Sequence, residues 1–293
     1  MSIRIGISGW TYPGWRGVFY PPGLAHRNEL AFASRQFNAI EVNGTFYRLQ
    51  RPETFAEWYR ATPDDFRFAL KGSRFITHMK ALKDVRVPLA NFFASGVLML
   101  EDKLGPLLWQ FPPRMRFDPE RFDTFLRLLP RTTRAAARLA RQHDYRLQGR
   151  AYARSPRDFP IRHVIEVRDE TFFVPDFIDL LRHHDCGFVL SEAGSEWPYA
   201  EDVTSSTVYI RLHGAEELYA SGYDDASLDW WARRIRTWAR GCEPRDAVRA
   251  GNRAPHRAQR DVYVFFDNDR KVHAPFDARR LIERIHATKA KAA

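Results

Sequence analysis

Hydrophobic residues in this chain come in short bursts that run into polar or charged side chains. The bursts are Ile3–Gly9 (IRIGISG), Ala39–Gly44 (AIEVNG), Phe66–Gly72 (FRFALKG), Pro106–Phe111 (PLLWQF), His163–Arg168 (HVIEVR), Gly187–Glu192 (GFVLSE), Thr207–Gly214 (TVYIRLHG) and Asp261–Asp269 (DVYVFFDND). Their length and their β-branched and aromatic content predict strands. Helical patterns separate them, near Asn28–Gln36, Pro52–Ala61, Pro88–Leu98, Pro119–Leu129, Arg134–His143, Pro175–His184, Ser227–Arg240 and Asp277–Lys289. Several begin after Ser, Asp or Pro, as helix N-termini prefer. Eight alternating β and α units over about 250 residues predict an α/β fold, a single (β/α)8 TIM-like barrel across residues 1–293. Chemistry in that fold sits at the C-terminal ends of the strands.

Strand alternation sorts the side chains near those ends. In the seventh segment Val208, Ile210 and Leu212 face the helices, so Tyr209, Arg211 and His213 face inward. The same parity turns inward Ser8, Trp10, Glu41, Asn43, Lys71, Ser73, Gln110, Glu166, Arg168 and Asp267; the sixth segment is ambiguous between Ser191 and Glu192. That many inward charges must pair with one another or with a ligand. One reading is a salt-bridge lattice filling the lumen, for example Glu41 with Lys71 and Glu166 with Arg211. The other, favoured because this end of a barrel is usually the site, is an anion-binding acid/base pocket in which Glu41, Lys71, Glu166, Arg211 and His213 converge.

His213, before Gly214, is the leading acid/base candidate, with Glu41, Glu166 and Asp267 as further catalytic candidates. Lys71, Arg74, Arg168 and Arg211 are candidates to hold a phosphate or carboxylate. Ser8, Asn43, Gln110 and Asn268 add polar contacts, and Trp10, Tyr12, Trp15 and Tyr47 add rings that stack on a sugar or base. The competing reading of the aromatic loops is a hydrophobic cover over the barrel mouth.

The net charge of +10 is unevenly placed. Residues 114–162 are net +8 and residues 233–260 net +7, so the remainder is net −5. Residues 131–162 exceed a barrel connection and read as an arginine-rich insertion between strands four and five, an extra helix and then a loop whose Tyr145–Tyr152 stretch borders the site. The 241–260 connection leads into strand eight and belongs at the opposite end. Residues 289–293 read as a frayed tail. No apolar run is long enough to span a membrane, and strand one begins too early for a secretory leader. Cys186 and Cys242 are far apart and read as reduced thiols of a cytoplasmic protein.

Longer motifs carry a resemblance. Gly6–Pro21 (GISGWTYPGWRGVFYP), Glu41–Arg48 (EVNGTFYR), Phe66–His78 (FRFALKGSRFITH), Trp109–Pro113 (WQFPP), Tyr209–Gly214 (YIRLHG) and Phe266–Asp269 (FDND) resemble the DUF72 family, also called YecE-like. The resemblance covers nearly the whole chain. It implies a TIM-like barrel and names no reaction. This chain departs from it at Asp267, often Asn in the family, and at Asp169-Glu170, where the family often has His-Pro.

The leading expectation is an enzyme acting on a small anionic sugar- or nucleotide-like substrate by acid/base or hydrolytic chemistry. The alternatives are a nucleic-acid binding or processing protein akin to barrel endonucleases of the endonuclease IV class, and a non-catalytic binding module. For the nuclease reading, His78, His213, Glu41, Glu166 and Asp267 could be recruited to metal, but no tight ligand spacing calls for one, so no metal ligand is assigned and any cofactor stays open. Retaining glycosidases of this fold place carboxylates at the ends of strands four and seven, where this chain has Gln110 and His213.

Overall fold

The computed structural model describes residues 2–290. Each predicted strand is present: β1 (Ile3–Ser8), β2 (Ala39–Val42), β3 (Arg67–Lys71), β4 (Leu104–Gln110), β5 (His163–Glu166), β6 (Gly187–Glu192), β7 (Thr207–Leu212) and β8 (Asp261–Phe266). They follow one another in chain order around a closed barrel, so the (β/α)8 class holds. The helices are α1 (Glu29–Gln36), α2 (Gly44–Tyr47), α3 (Pro52–Ala61), α4 (Arg86–Ala94), α5 (Pro119–Leu128), α6 (Thr133–Ala140), α7 (Pro175–His183), α8 (Asp225–Ala239) and α9 (His273–Ala290). Helix α9 is continuous through Ala290; residues 291–293 of the expected frayed tail lie outside the described residues. Among the described residues no helix is long and apolar enough to cross a membrane.

Contacts divide the chain into two compact units, one made of the residues up to Ile40 with those from Phe173 onward, the other of Glu41–Phe172. In the first, β6, β7, β8 and β1 pair in parallel, with Ser191 level with Arg211 and both Leu212 and Ile7 level with Phe266. This register settles the sixth strand: Ser191 shares the inward face with Arg211, and Glu192 lies outward with Leu212. Beneath Arg211 the inward side chains Tyr209, Tyr263 and Phe265 pack as a buried aromatic floor. Helix α8 buries Leu228, Trp231, Ile235 and Trp238, the expected core stripe.

In the second unit β3, β4 and β5 pair in parallel, with Lys71 level with Leu108 and Gln110 level with Glu166. Trp109 is the outward hub. Its ring centroid lies 5.6 Å from that of Phe92 and 5.4 Å from that of Phe125. Gly72 is required beside it, because a Cβ there would stand 2.3 Å from the indole. The chain leaving β3 forms a single π-helical turn, Phe75–Met79, and Ala81, Leu82 and Asp84 then take left-handed backbone angles. π turns and left-handed non-glycine residues are costly and concentrate at functional segments. Helix α6 opens on a Thr132 cap and packs on α4. The loop that follows folds back on α4, where Asn91 accepts from the Asp144 amide and Ala94 from that of Tyr152.

Candidate functional site

The polar strand ends form one group in each unit. In the first unit the group centres on Arg211, which is 1% exposed. Its Nη2 donates to Asp267 Oδ2 at 2.8 Å, and its Nη1 lies 3.3 Å from His213 Nε2. A guanidinium can only donate, so Nε2 is the unprotonated nitrogen of a neutral ring. The ring proton is then on Nδ1, which lies 3.2 Å from Asp267 Oδ2. Ser191 Oγ accepts from Trp197 Nε1 at 3.1 Å and lies 3.2 Å from His213 Nε2. Trp197 and Tyr219 close on the imidazole, each with its ring centroid 5.4 Å away. His213 is fully buried among these groups. Gly214 permits the turn that follows: its φ is 117°, and a Cβ would meet the Glu217 carbonyl at 2.5 Å.

Two residues beyond Asp267 stands Asp269, which inspection of the strands passed over. Burial, reinforced by the charge of Asp267, pushes its carboxyl up from 3.8 to about 6. A carboxyl held in an ion pair beside one that titrates near neutrality is the arrangement acid/base catalysts use. Ser8 is buried, and its carbonyl accepts from the Tyr12 hydroxyl at 2.6 Å. The Trp10 carbonyl accepts from Tyr20 at 2.6 Å. Trp15 is 1% exposed and packs on Tyr12, Phe19 and Tyr20. Asn268 is buried and ties Ser221 and Asp277 together. On the outward face, Glu192 accepts from Tyr223, and burial raises its pKa.

The second unit gathers positive charge around His78. Burial first, then the charges of Lys71, Arg114, Arg168 and Arg74, push its pKa down from 6.5 to about 4. Its Nδ1 lies 2.8 Å from the hydroxyl of buried Thr77, which fixes the ring orientation, and its ring meets Phe46 edge-on. Lys71 Nζ stands 4.6 Å from the centre of the Phe46 ring, and the Arg74 guanidinium 5.6 Å from that of Tyr47. Arg168 donates through Nε and Nη2 to one oxygen of fully buried Glu166, at 3.0 and 2.8 Å. Glu41 is fully buried as well. Gln110 donates to the Phe111 carbonyl at 2.7 Å, and Asn43 is half-buried at the start of α2.

Beside His78 opens a cavity of about 370 Å³, lined also by Thr77, Arg114, Arg116, Asp118 and Arg121. Arg121 is held by Asp118, the N-cap of α5, at 3.0 Å. Arg114 and His78 as an anion-site residue escaped strand parity because they lie beyond the strand ends, on a loop and on the π turn. The available signals were the motif ending at His78 and the arginine after Pro112-Pro113. Among the described residues no group of three or more His, Cys, Asp or Glu side chains is placed to hold a metal ion.

A parallel barrel with polar strand ends defines the class of protein, and sequence comparison defines the family. Residues 4–293 match the family model described as "Protein of unknown function DUF72", and the chain belongs to that family. It is similar to the UPF0759 protein YecE of Escherichia coli K12, 34% identical over 110 residues that make up 38% of either chain. It is also similar to the UPF0759 protein YunF of Bacillus subtilis, 30% identical over 116 residues, 38% of this chain and 40% of that one. The chain thus spans about two-fifths of the length of the curated relatives it matches. Among solved structures, a DUF72 family protein of Thermotoga maritima superposes with a TM-score of 0.72 at 23% identity, covering 98% of this chain and all of that one. One from Enterococcus faecalis gives 0.68 at 15% identity, covering 97% and 95%. At those identities the likeness speaks for the fold.

Proposed function

We propose that the protein is an enzyme acting on a small anionic sugar- or nucleotide-like substrate at the C-terminal ends of its strands, by acid/base or hydrolytic chemistry. The observation that carries this reading is the set of four cations, Lys71, Arg74, Arg114 and Arg168, whose charges bear on half-buried His78 beside a cavity. Like charges gathered at a partly desolvated site repel one another, and a bound anion relieves that repulsion. Arg168 is oriented by Glu166, so a preorganised donor is already present. The same anion would restore basicity to His78. The neutral imidazole would therefore take up a proton as substrate binds, which suits it to donate one during reaction.

Calorimetry with inorganic phosphate, ribose 5-phosphate and ribose tests the proposal. Both phosphates are expected to bind and neutral ribose is not. Affinity for sulfate, whose charge is constant over this range, should strengthen as the pH falls from 7 towards 5, because protonation of His78 favours the anion. Arg114→Gln should weaken phosphate binding by about tenfold, the scale of one charge-assisted hydrogen bond. Equal binding of ribose and its phosphate, or no binding of either at millimolar concentration, would defeat the reading.

A further inference from the structure

A second cavity of the same unit, about 220 Å³, lies on the other flank of the π turn. Phe75 and Ile76 of that turn line it, while Thr77 and His78 line the anion cavity. The rest of its wall includes Tyr47, Arg48, Ser73 and Arg146. Two features set it apart from ordinary surface. The first is exposed aromatic area: Tyr47 is 64% exposed, and Tyr145, next to Arg146, is 77% exposed. The second is the guanidinium groups over these rings. Arg74 lies 5.6 Å from the centre of Tyr47, and Arg146 lies 6.0 Å from Phe75 and 5.3 Å from Tyr145. Arg146 is steadied by Asp144 at 2.6 Å, and Asp144 by Asn91 of α4.

Solvent-facing rings alternating with arginines offer a planar ligand two kinds of stacking face, and they offer phosphate a cation. We infer that this cleft, through Tyr47, Phe75 and Arg146, receives the base of a nucleotide whose phosphate occupies the neighbouring cavity at His78. The inference rests on the anion reading above and narrows its substrate class from sugar phosphates in general to nucleotides. The π turn supplies the link, because consecutive residues of one short segment line both cavities. Among the described residues the hydroxyl of Tyr47, on the four-residue helix after β2, has no hydrogen-bond partner that would otherwise explain a large exposed ring among arginines. A free nucleotide and the end of a single strand share this chemistry.

The test compares adenosine 5′-monophosphate, ribose 5-phosphate and a short single-stranded oligonucleotide by calorimetry on the full chain. Adenosine monophosphate is expected to bind about tenfold or more tighter than ribose 5-phosphate, the scale of one base stacked on an aromatic ring. Tyr47→Ala should erase that advantage, costing adenosine monophosphate about tenfold more affinity than ribose 5-phosphate. Tyr47→Phe, which keeps the ring, should retain it and so separates stacking from disturbance of the fold. An oligonucleotide that binds more tightly still and also depends on Tyr47 would identify a single strand as the source. Equal affinity for the two monophosphates would overturn the inference while leaving the anion site intact. Failure of both monophosphates to bind would overturn both.

Discussion

At the scale of single residues, parity found groups more reliably than it found roles. Tyr209, Arg211, His213 and Asp267 share the inward face as alternation requires, and Arg211 pairs with Asp267. What alternation could not show is that His213 Nε2 faces Ser191 and that no solvent reaches the ring, because these follow from Ser191, Trp197 and Tyr219 on other segments. The upward shift of Asp269 was hidden for the same reason: it arises from burial and a neighbouring charge. His213→Phe keeps the ring volume but removes the acceptor that faces Arg211 Nη1 and Ser191 Oγ. It should destabilise the fold by about 1–3 kcal/mol, the cost of stranding buried donors. Urea unfolding measures this, and an unchanged midpoint would show that those contacts add no stability.

At the scale of elements, the strands were legible because short hydrophobic runs bounded by polar residues survive without tertiary context. The exceptions had no periodicity to read. Helix α2 is four residues long, the π turn has no hydrophobic signature, and α4 stops at Ala94, short of the expected Leu98, because Gly96 takes φ 117°. Strand β5 shows how one polar residue secures an element. Trp109 Nε1 donates to His163 Nδ1 at 3.1 Å, so the proton is on Nε2, which donates to the Pro130 carbonyl at 2.8 Å. Protonating Nδ1 would break the bond to β4, and burial lowers the pKa from 6.5 to about 3. In the unfolded chain this histidine binds its proton near pH 6.5, so between about 3 and 6.5 unfolding takes up a proton. The stability it contributes is therefore complete above pH 6.5 and is lost progressively as the pH falls towards 3. His163→Leu should be less stable than wild type at pH 7, because the Trp109 N–H loses its acceptor. It should also lose less stability than wild type between pH 6.5 and 4. Denaturant midpoints across that range provide the check, and parallel curves for the two proteins would show that His163 does not titrate this way.

At the scale of the whole molecule, the β/α repeat declared the fold because it recurs eight times, whereas the positive charge gave no hint of which arginines are already used. Both basic segments are arginine-rich, and their arginines meet different fates. In residues 233–260, Arg234 is buried against Glu201 and Asp246, and Arg260 is buried with its guanidinium on the Cys242 and Pro255 carbonyls. In residues 131–162 the side chain of Arg146 is 50% exposed beside Tyr145, and that of Arg157 is 64% exposed. Charge that already neutralises buried acids or caps carbonyls releases no counterions when a polyanion arrives. Any salt-dependent affinity for a single strand should therefore come from exposed arginines such as Arg146 and not from Arg234 or Arg260. Plotted as log K against log salt, binding should weaken steeply, and Arg146→Gln or Arg150→Gln should each reduce the slope by roughly one phosphate contact. Arg234→Gln should instead lower stability, because it leaves buried Glu201 without its cation, and should leave the slope unchanged. If the slope responded to Arg234 and not to Arg146, the exposed arginines of the insertion would not be the polyanion surface. If no single strand bound at about 50 mM salt, the +10 charge would have no nucleic-acid partner to account for it.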